Sequence, residues 1–289
     1  MKKLLITGAS GFLGWYLCRL ALAVGWEVHG TSHRNVHELN SVCWHPINLT
    51  ELEATTELLN RIKPDAVIHA AAMGRPNDCQ KNPQNSYAIN VAATENIARL
   101  CQTLGIKLVF ISTEQVFDGE HPPYGESDDV SPINVYGEHK AIAEQKVLDA
   151  STENLVCRMP LMFGIVPTAP SFLQGWVTQL RQGETLNLFT DEVRTPLNGE
   201  DAAKGIFLGL NQMSGILHLG GPESLSRYDI GMQLAEALGV SPDQLSQALR
   251  QDVSMAAPRP RDLTMSYELA ASYGYAPAPI RQKFLEYFG

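Results

Sequence analysis

The chain is 289 residues long, carries a formal net charge of −9, and is 44% hydrophobic and 18% charged. That length buries a substantial core and that balance excludes a disordered chain. The acidic charge excludes a general attraction to nucleic acid or an anionic membrane, so a phosphorylated ligand would have to be met by local cations or aligned backbone amides.

Five cysteines (Cys18, Cys43, Cys79, Cys101, Cys157) are scattered without CxxC spacing, which reads as reduced core thiols rather than a disulfide frame or a zinc site. The eight histidines show no ligand spacing, so no metal is expected. No apolar run approaches the ~18 residues of a membrane span, and no apolar leader follows Lys2 and Lys3. A soluble cytoplasmic protein is expected.

In chain order, Lys3 to Thr7 predicts a buried strand and Phe12 to Val24 a helix. Glu27 to Thr31 and Val42 to Ile47 predict two more strands. Leu52 to Ile62 predicts a helix stopped by Pro64, then Asp65 to Ala70 a strand. Asn85 to Leu104 predicts one long helix closed by Gly105 at the position where helices favour glycine. Lys107 to Ser112 predicts a strand, Tyr136 to Ala150 a helix and Leu155 to Arg158 a strand. Apolar strands alternating with helices predict a doubly wound parallel α/β sheet of the Rossmann type. After about Gly164 the pattern loosens, with helices over Phe172 to Arg181, Asp201 to Leu210 and Tyr228 to Leu238 among short strands and prolines. The expected division is therefore a nucleotide-binding domain over 1–164 and a smaller α/β substrate lobe over 165–289, with the chain free to cross back between them.

Gly8-Ala-Ser-Gly11-Phe-Leu-Gly14 follows the first strand and opens the first helix. Glycines there permit a tight turn, let backbone N–H groups approach a pyrophosphate and allow close helix–strand packing, while the helix N-terminus faces the anion with its positive end. Gly8, Ser10, Gly11, Phe12, Leu13 and Gly14 are accordingly assigned to a dinucleotide. The second strand ends Thr31-Ser-His-Arg34, with no acidic residue to hold an adenosine ribose diol. Arg34, with His33 or Ser32, suits a 2′-phosphate, which favours NADPH while leaving NAD open. Asn48 and Leu49 fall where such folds read adenine, and Ala70, Ala71, Ala72 and Asn90 join the cofactor set only through the family resemblance given below.

Tyr136-Gly-Glu-His-Lys140 puts a phenol and an ammonium one turn apart, downstream of a strand ending Ile111-Ser-Thr113. Strand C-termini of a parallel sheet open onto the cofactor crevice. A free tyrosine is a poor acid–base group at neutral pH, and a nearby lysine charge would lower its pKa. Tyr136 is therefore expected to deliver the proton, Lys140 to activate it, and Thr113 to polarise the same carbonyl.

Glycine loop, Ser-Thr strand end and YxxxK, in that order, resemble the extended short-chain dehydrogenase/reductases. Longer stretches resemble the dTDP-4-dehydrorhamnose reductase family: Ser112-Thr-Glu-Gln-Val-Phe-Asp-Gly119, Pro123-Tyr-Gly-Glu126, Pro132 to Lys140, Arg158 before Phe163-Gly164, Arg194-Thr-Pro196, Ser226-Arg-Tyr228 and Arg259-Pro-Arg261. The resemblance covers nearly the whole chain. It implies NADPH-dependent reduction of a keto group on a nucleotide-linked sugar, with Ser112, Glu114, Gln115, Arg158, Arg194, Arg259 and Arg261 as substrate contacts. Arg194, Arg259 and Arg261 are the expected diphosphate clamp, because a guanidinium fork matches phosphate oxygens. A homodimer is allowed.

The family's Asp-Tyr after Ser-Thr is Glu114-Gln115 here, and a tryptophan of the family is replaced by Leu161. Fold and cofactor survive these changes, while the sugar pocket is altered. Two other readings follow: an NAD-dependent epimerase or dehydratase, which returns the hydride to its substrate, and a non-catalytic regulatory subunit resembling the β subunit of methionine adenosyltransferase.

Overall fold

Seven short strands assemble into one parallel sheet in the computed structural model, which describes residues 1–33, 39–167 and 169–289. We label them β1 (Lys3–Thr7), β2 (Glu27–Ser32), β3 (Cys43–Pro46), β4 (Ala66–His69), β5 (Lys107–Thr113), β6 (Leu155–Met159) and β7 (Gly215–His218). Their order across the sheet is β7-β6-β5-β4-β1-β2-β3, the doubly wound arrangement with its switch point between β1 and β4.

Alternation along each strand sends side chains to opposite faces. Leu4 and Ile6 enter one core with Leu17, Ala202 and Ile206, under helices Phe12–Ala23 and Gly199–Gln212. Leu5 enters the other with Leu59, Ile97 and Val147, under helices Leu52–Ile62, Ala93–Leu104 and Val135–Ala150. Burial on both faces explains why the central strands β1, β4, β5 and β6 are mostly apolar, whereas the edge strand β3 is not buried.

The chain after residue 164 does more than build a second lobe. β7 pairs with β6 in register Gly215 to Leu155 through His218 to Arg158. Helix Gly199–Gln212 packs on the same edge, where a Cβ at Gly209 would stand 2.6 Å from Leu155. The smaller lobe has its own core of Phe163, Leu173, Leu180, Leu188, Ile230, Leu234 and Phe284.

The expected single helix from Asn85 to Leu104 is three pieces: a short helix Pro83–Tyr87, a π-helical turn Ala88–Ala92, and helix Ala93–Leu104 closed by Gly105 at φ +66°. Among the described residues no helix is long and apolar enough to cross a membrane.

Candidate active site

A cleft of about 570 Å³ opens at the C-terminal ends of β1, β2 and β4. Gly8, Ser10, Gly11, Ser32, His33, Asn48, Leu49 and the run Ala70, Ala71 and Ala72 line it. Gly8 has φ +65°, and a Cβ there would stand 2.7 Å from the Ala71 backbone. At Gly14 a Cβ would come within 2.3 Å of the Gly8 carbonyl. The loop is thus shaped by backbone approaching backbone, leaving a concave wall of amides before the helix N-terminus. Ser32 Oγ, on this wall, is buried without a protein hydrogen-bond partner. An orphaned hydroxyl, a glycine cradle and a helix start together fit a dinucleotide.

Several cofactor expectations change. The side chain of Leu13 is core, and Phe12 packs edge-on against Tyr16 at 5.4 Å, so these two serve the loop's anchoring. Asn48 lines the cleft, but its carbonyl accepts from Thr50 N at 3.2 Å and its amide donates to Glu51 at 3.1 Å, which makes it a turn former. Asn90 is 1% exposed and its amide is spent on Met73, accepting from its N–H at 2.9 Å and donating to its carbonyl at 3.1 Å. It shapes the wall after β4 and does not reach the cleft. Arg34 lies outside the described residues.

Sequence reasoning missed His69, which floors the cleft. It is gripped by Thr7 at 2.6 Å and Thr94 at 2.9 Å, and burial pushes its pKa down to about 3, so the ring is neutral. A histidine on an apolar strand gives no such signal in sequence.

Thr113, Tyr136 and Lys140 come together where β5 meets helix Val135–Ala150. Asn134 caps that helix, accepting from Gly137 N at 2.9 Å and donating to Gln115 at 3.1 Å and to the Pro258 carbonyl at 3.2 Å. Tyr136 is half-buried and faces Thr113, whose hydroxyl works against the upward shift of the phenol. Its pKa is raised by burial rather than depressed by Lys140. Lys140 is 2% exposed, donates to the Ile111 carbonyl at 2.6 Å and lies 3.8 Å from the centre of the Phe110 ring. Burial pulls its pKa down to about 7, with Glu144 opposing. The expected depression of the phenol fails here because the ammonium is engaged elsewhere.

Two predicted substrate residues belong to a buried network. Ser112 donates to Glu144, and Arg158 meets the same carboxylate at 2.8 Å, both partners nearly unexposed. Neither side chain reaches the cleft, because each is drawn under the sheet end by that carboxylate.

Arg194 is not a free clamp either. It is 3% exposed, with its Nε 3.1 Å from Glu114, one terminal nitrogen 3.6 Å from Glu192, and Nη2 donating to the Pro260 carbonyl at 3.1 Å. Burial pushes Glu114 up to about 8 despite Arg194. Glu114 is therefore an interior partner of an arginine, and Gln115 a partner of Asn134. Arg261 is exposed, and its carbonyl accepts from Val193 N at 2.8 Å. Arg259 lines a separate 330 Å³ hollow with Asp191 and Arg250, and its Nε is buried without a hydrogen bond. Arg227, not singled out from the sequence, lies 4.4 Å from the Phe172 ring and 4.8 Å from the Trp176 ring, with Nη1 buried and unbonded. Its pKa is lowered to about 10, chiefly by burial. Among the described residues no group of three or more His, Cys, Asp or Glu is disposed to hold a metal.

Sheet order, glycine loop and the Thr113–Tyr136–Lys140 corner define a dinucleotide-binding fold of the extended short-chain dehydrogenase/reductase type. The family model described as "RmlD substrate binding domain" matches residues 1–288, and the chain belongs to that family. It is similar to the "probable low-salt glycan biosynthesis reductase Agl14" of Haloferax volcanii, 30% identical over 261 residues, 89% of this chain and 87% of that protein. It is equally similar to the methionine adenosyltransferase 2 subunit β of Xenopus laevis, 30% identical over 271 residues, 90% of this chain and 78% of that one. A dTDP-4-dehydrorhamnose reductase structure from Yersinia enterocolitica superposes with a TM-score of 0.86 at 26% identity, covering 100% of this chain and 99% of that chain.

Proposed function

We propose that this protein is an NADPH-dependent reductase of a keto group on a nucleotide-linked sugar. The observation that carries the reading is that Thr113, Tyr136 and Lys140 meet where the strand end opens onto the glycine-walled cleft. Gly8, Ser10, Gly11 and the Ala70 to Ala72 wall would hold the dinucleotide, and Ser32 with His33, in the absence of an acid there, favours a 2′-phosphate. A reduced nicotinamide, when bound, supplies the hydride.

The protein's own residues handle the proton. Burial keeps the Tyr136 phenol protonated at neutral pH, so it is ready to donate to a carbonyl oxygen, with the Thr113 hydroxyl steadying it. Donation leaves a phenolate in a poorly solvated place, and the ammonium of Lys140, one turn on, would turn from the Ile111 carbonyl to stabilise it. The nucleotide end of the substrate would lie over the smaller lobe, where Arg227 and Arg259 keep unused buried N–H groups.

The test is loss of NADPH absorbance with a panel of 4-keto nucleotide sugars. Tyr136→Phe should lose at least ~10²-fold in kcat while its NADPH dissociation constant holds within twofold; unaltered turnover in that variant would sink the assignment. The similarity to a methionine adenosyltransferase β subunit favours a second reading, in which the same fold serves another enzyme. Copurification with a partner enzyme, and no turnover across the panel, would select it.

A further inference from the structure

Under the Thr113–Tyr136–Lys140 corner runs a chain of buried polar groups that never touches the cleft. Glu144 lies one turn beyond Lys140 on helix Val135–Ala150 and is 3% exposed. Its carboxylate accepts from the Ser112 hydroxyl, from Arg158 Nε at 3.2 Å on each oxygen, and from Arg158 Nη2 at 2.8 Å. Arg158 continues to His218 Nε2 at 3.3 Å, and the backbone N–H of His218 donates to Glu126 at 3.0 Å. One carboxylate thus joins the ends of β5 and β6 to the helix carrying Tyr136 and Lys140, and through β7 reaches the loop that precedes that helix.

Stability alone does not account for such a pair, since well-packed apolar residues often replace a buried ion pair at no cost. Its position suggests another use. The titratable groups facing Lys140 are Glu144 on its own helix, His69 on β4 and Cys79 on helix Pro76–Lys81. Burial holds His69 neutral, and burial raises the Cys79 thiol so that it too is uncharged near neutral pH. Among these, Glu144 is the anion that opposes the desolvation of the ammonium.

We propose that Glu144 is a positioning residue for the reaction: it locks the Ser112–Thr113 strand end against the catalytic helix and keeps Lys140 charged in its apolar seat. The inference rests on the reductase reading above. It goes further in giving Lys140 a charge partner outside the Thr–Tyr–Lys set.

The experiment follows Lys140 directly, by NMR titration of protein labelled with ¹³Cε-lysine, its resonance assigned from Lys140→Met. In Glu144→Gln the Lys140 midpoint should fall by about one pH unit. The alkaline limb of the kcat profile should fall with it, while the KM for NADPH stays within twofold. Glu144→Asp, which retains the charge, should restore both. Because Glu144→Gln leaves Arg158 buried without its partner, Glu144→Gln/Arg158→Met removes both charges, and thermal unfolding establishes that it folds. A smaller fall in the same direction is expected there, because the paired cation leaves with the anion that lies nearer Lys140 along the helix. A Lys140 midpoint that does not move in the folded variants overturns the proposal. Failure of the wild type to oxidise NADPH with any nucleotide sugar would overturn the reductase reading alone, since the lysine titration judges Glu144 without substrate.

Discussion

Thr7 and Thr94 hold His69 by both ring nitrogens, and the consequence is measurable as acid sensitivity. Burial lowers the folded pKa from 6.5 to about 3, so between those values the unfolded chain binds a proton that the native protein refuses. Stability is therefore full above about pH 6.5 and is lost as pH falls toward 3. His218, also pushed down to about 3 by burial and the neighbouring Arg158, adds a second increment of the same sign. Urea midpoints should drop between pH 7 and pH 4, and His69→Gln should flatten that drop by roughly half; an equally steep decline in the variant counts against this account. Arg194 gives the complementary case. Burial already holds Glu114 near 8, so removing Arg194 mainly leaves buried acceptors such as the Pro260 carbonyl without a donor, and Arg194→Met should cost about 1–3 kcal/mol in urea unfolding, a larger effect than on nucleotide-sugar KM. Neither behaviour was legible in the sequence. Arginine in an Arg-Thr-Pro motif reads as a phosphate clamp, and only the return of the chain at Pro260 and the proximity of Glu114 fill its fork.

The elements were predictable where one physical cause dominates. Continuous apolar runs made β1 and β5 legible, and Gly105 closed its helix because glycine adopts the left-handed conformation at little cost. The π-helical turn Ala88–Ala92 was not legible. It widens the helix where Asn90 must reach Met73, a demand set by the loop after β4 rather than by local propensity. Gly137 makes a related point. A Cβ at this position would stand 2.0 Å from the Gln115 carbonyl, so the helix carrying Tyr136 and Lys140 docks on backbone. Gly137→Ala should lower the urea-unfolding free energy by about 1–3 kcal/mol and reduce kcat by displacing Tyr136. Wild-type stability with wild-type turnover would show that the helix docks with slack.

At the scale of the whole molecule, the first lobe is completed from the second half of the chain. β7 and helix Gly199–Gln212 cover β6, and their loss would expose Leu155, Cys157 and the adjoining face of the sheet. A fragment of residues 1–164 should therefore fail to show a cooperative urea transition and should aggregate, whereas the full chain unfolds cooperatively. A folded, monomeric fragment would mean that the sheet edge tolerates solvent. This return of the chain also explains why a boundary near Gly164, where composition changes, does not by itself divide the structure into two folding units.

Periodicity, glycine placement and the order of short motifs were enough to establish the parallel sheet, the phosphate loop and the Thr113–Tyr136–Lys140 corner, because each depends on local spacing or on the direction of strands. Tertiary structure alone decided which charges face solvent and which face each other. Arg158 with Glu144, and Arg194 with Glu114, are paired only by the folded chain, and burial then raises Glu114 to about 8. The same burial holds Tyr136 protonated and seats Lys140 on the Ile111 carbonyl, which spacing on a helix could not reveal.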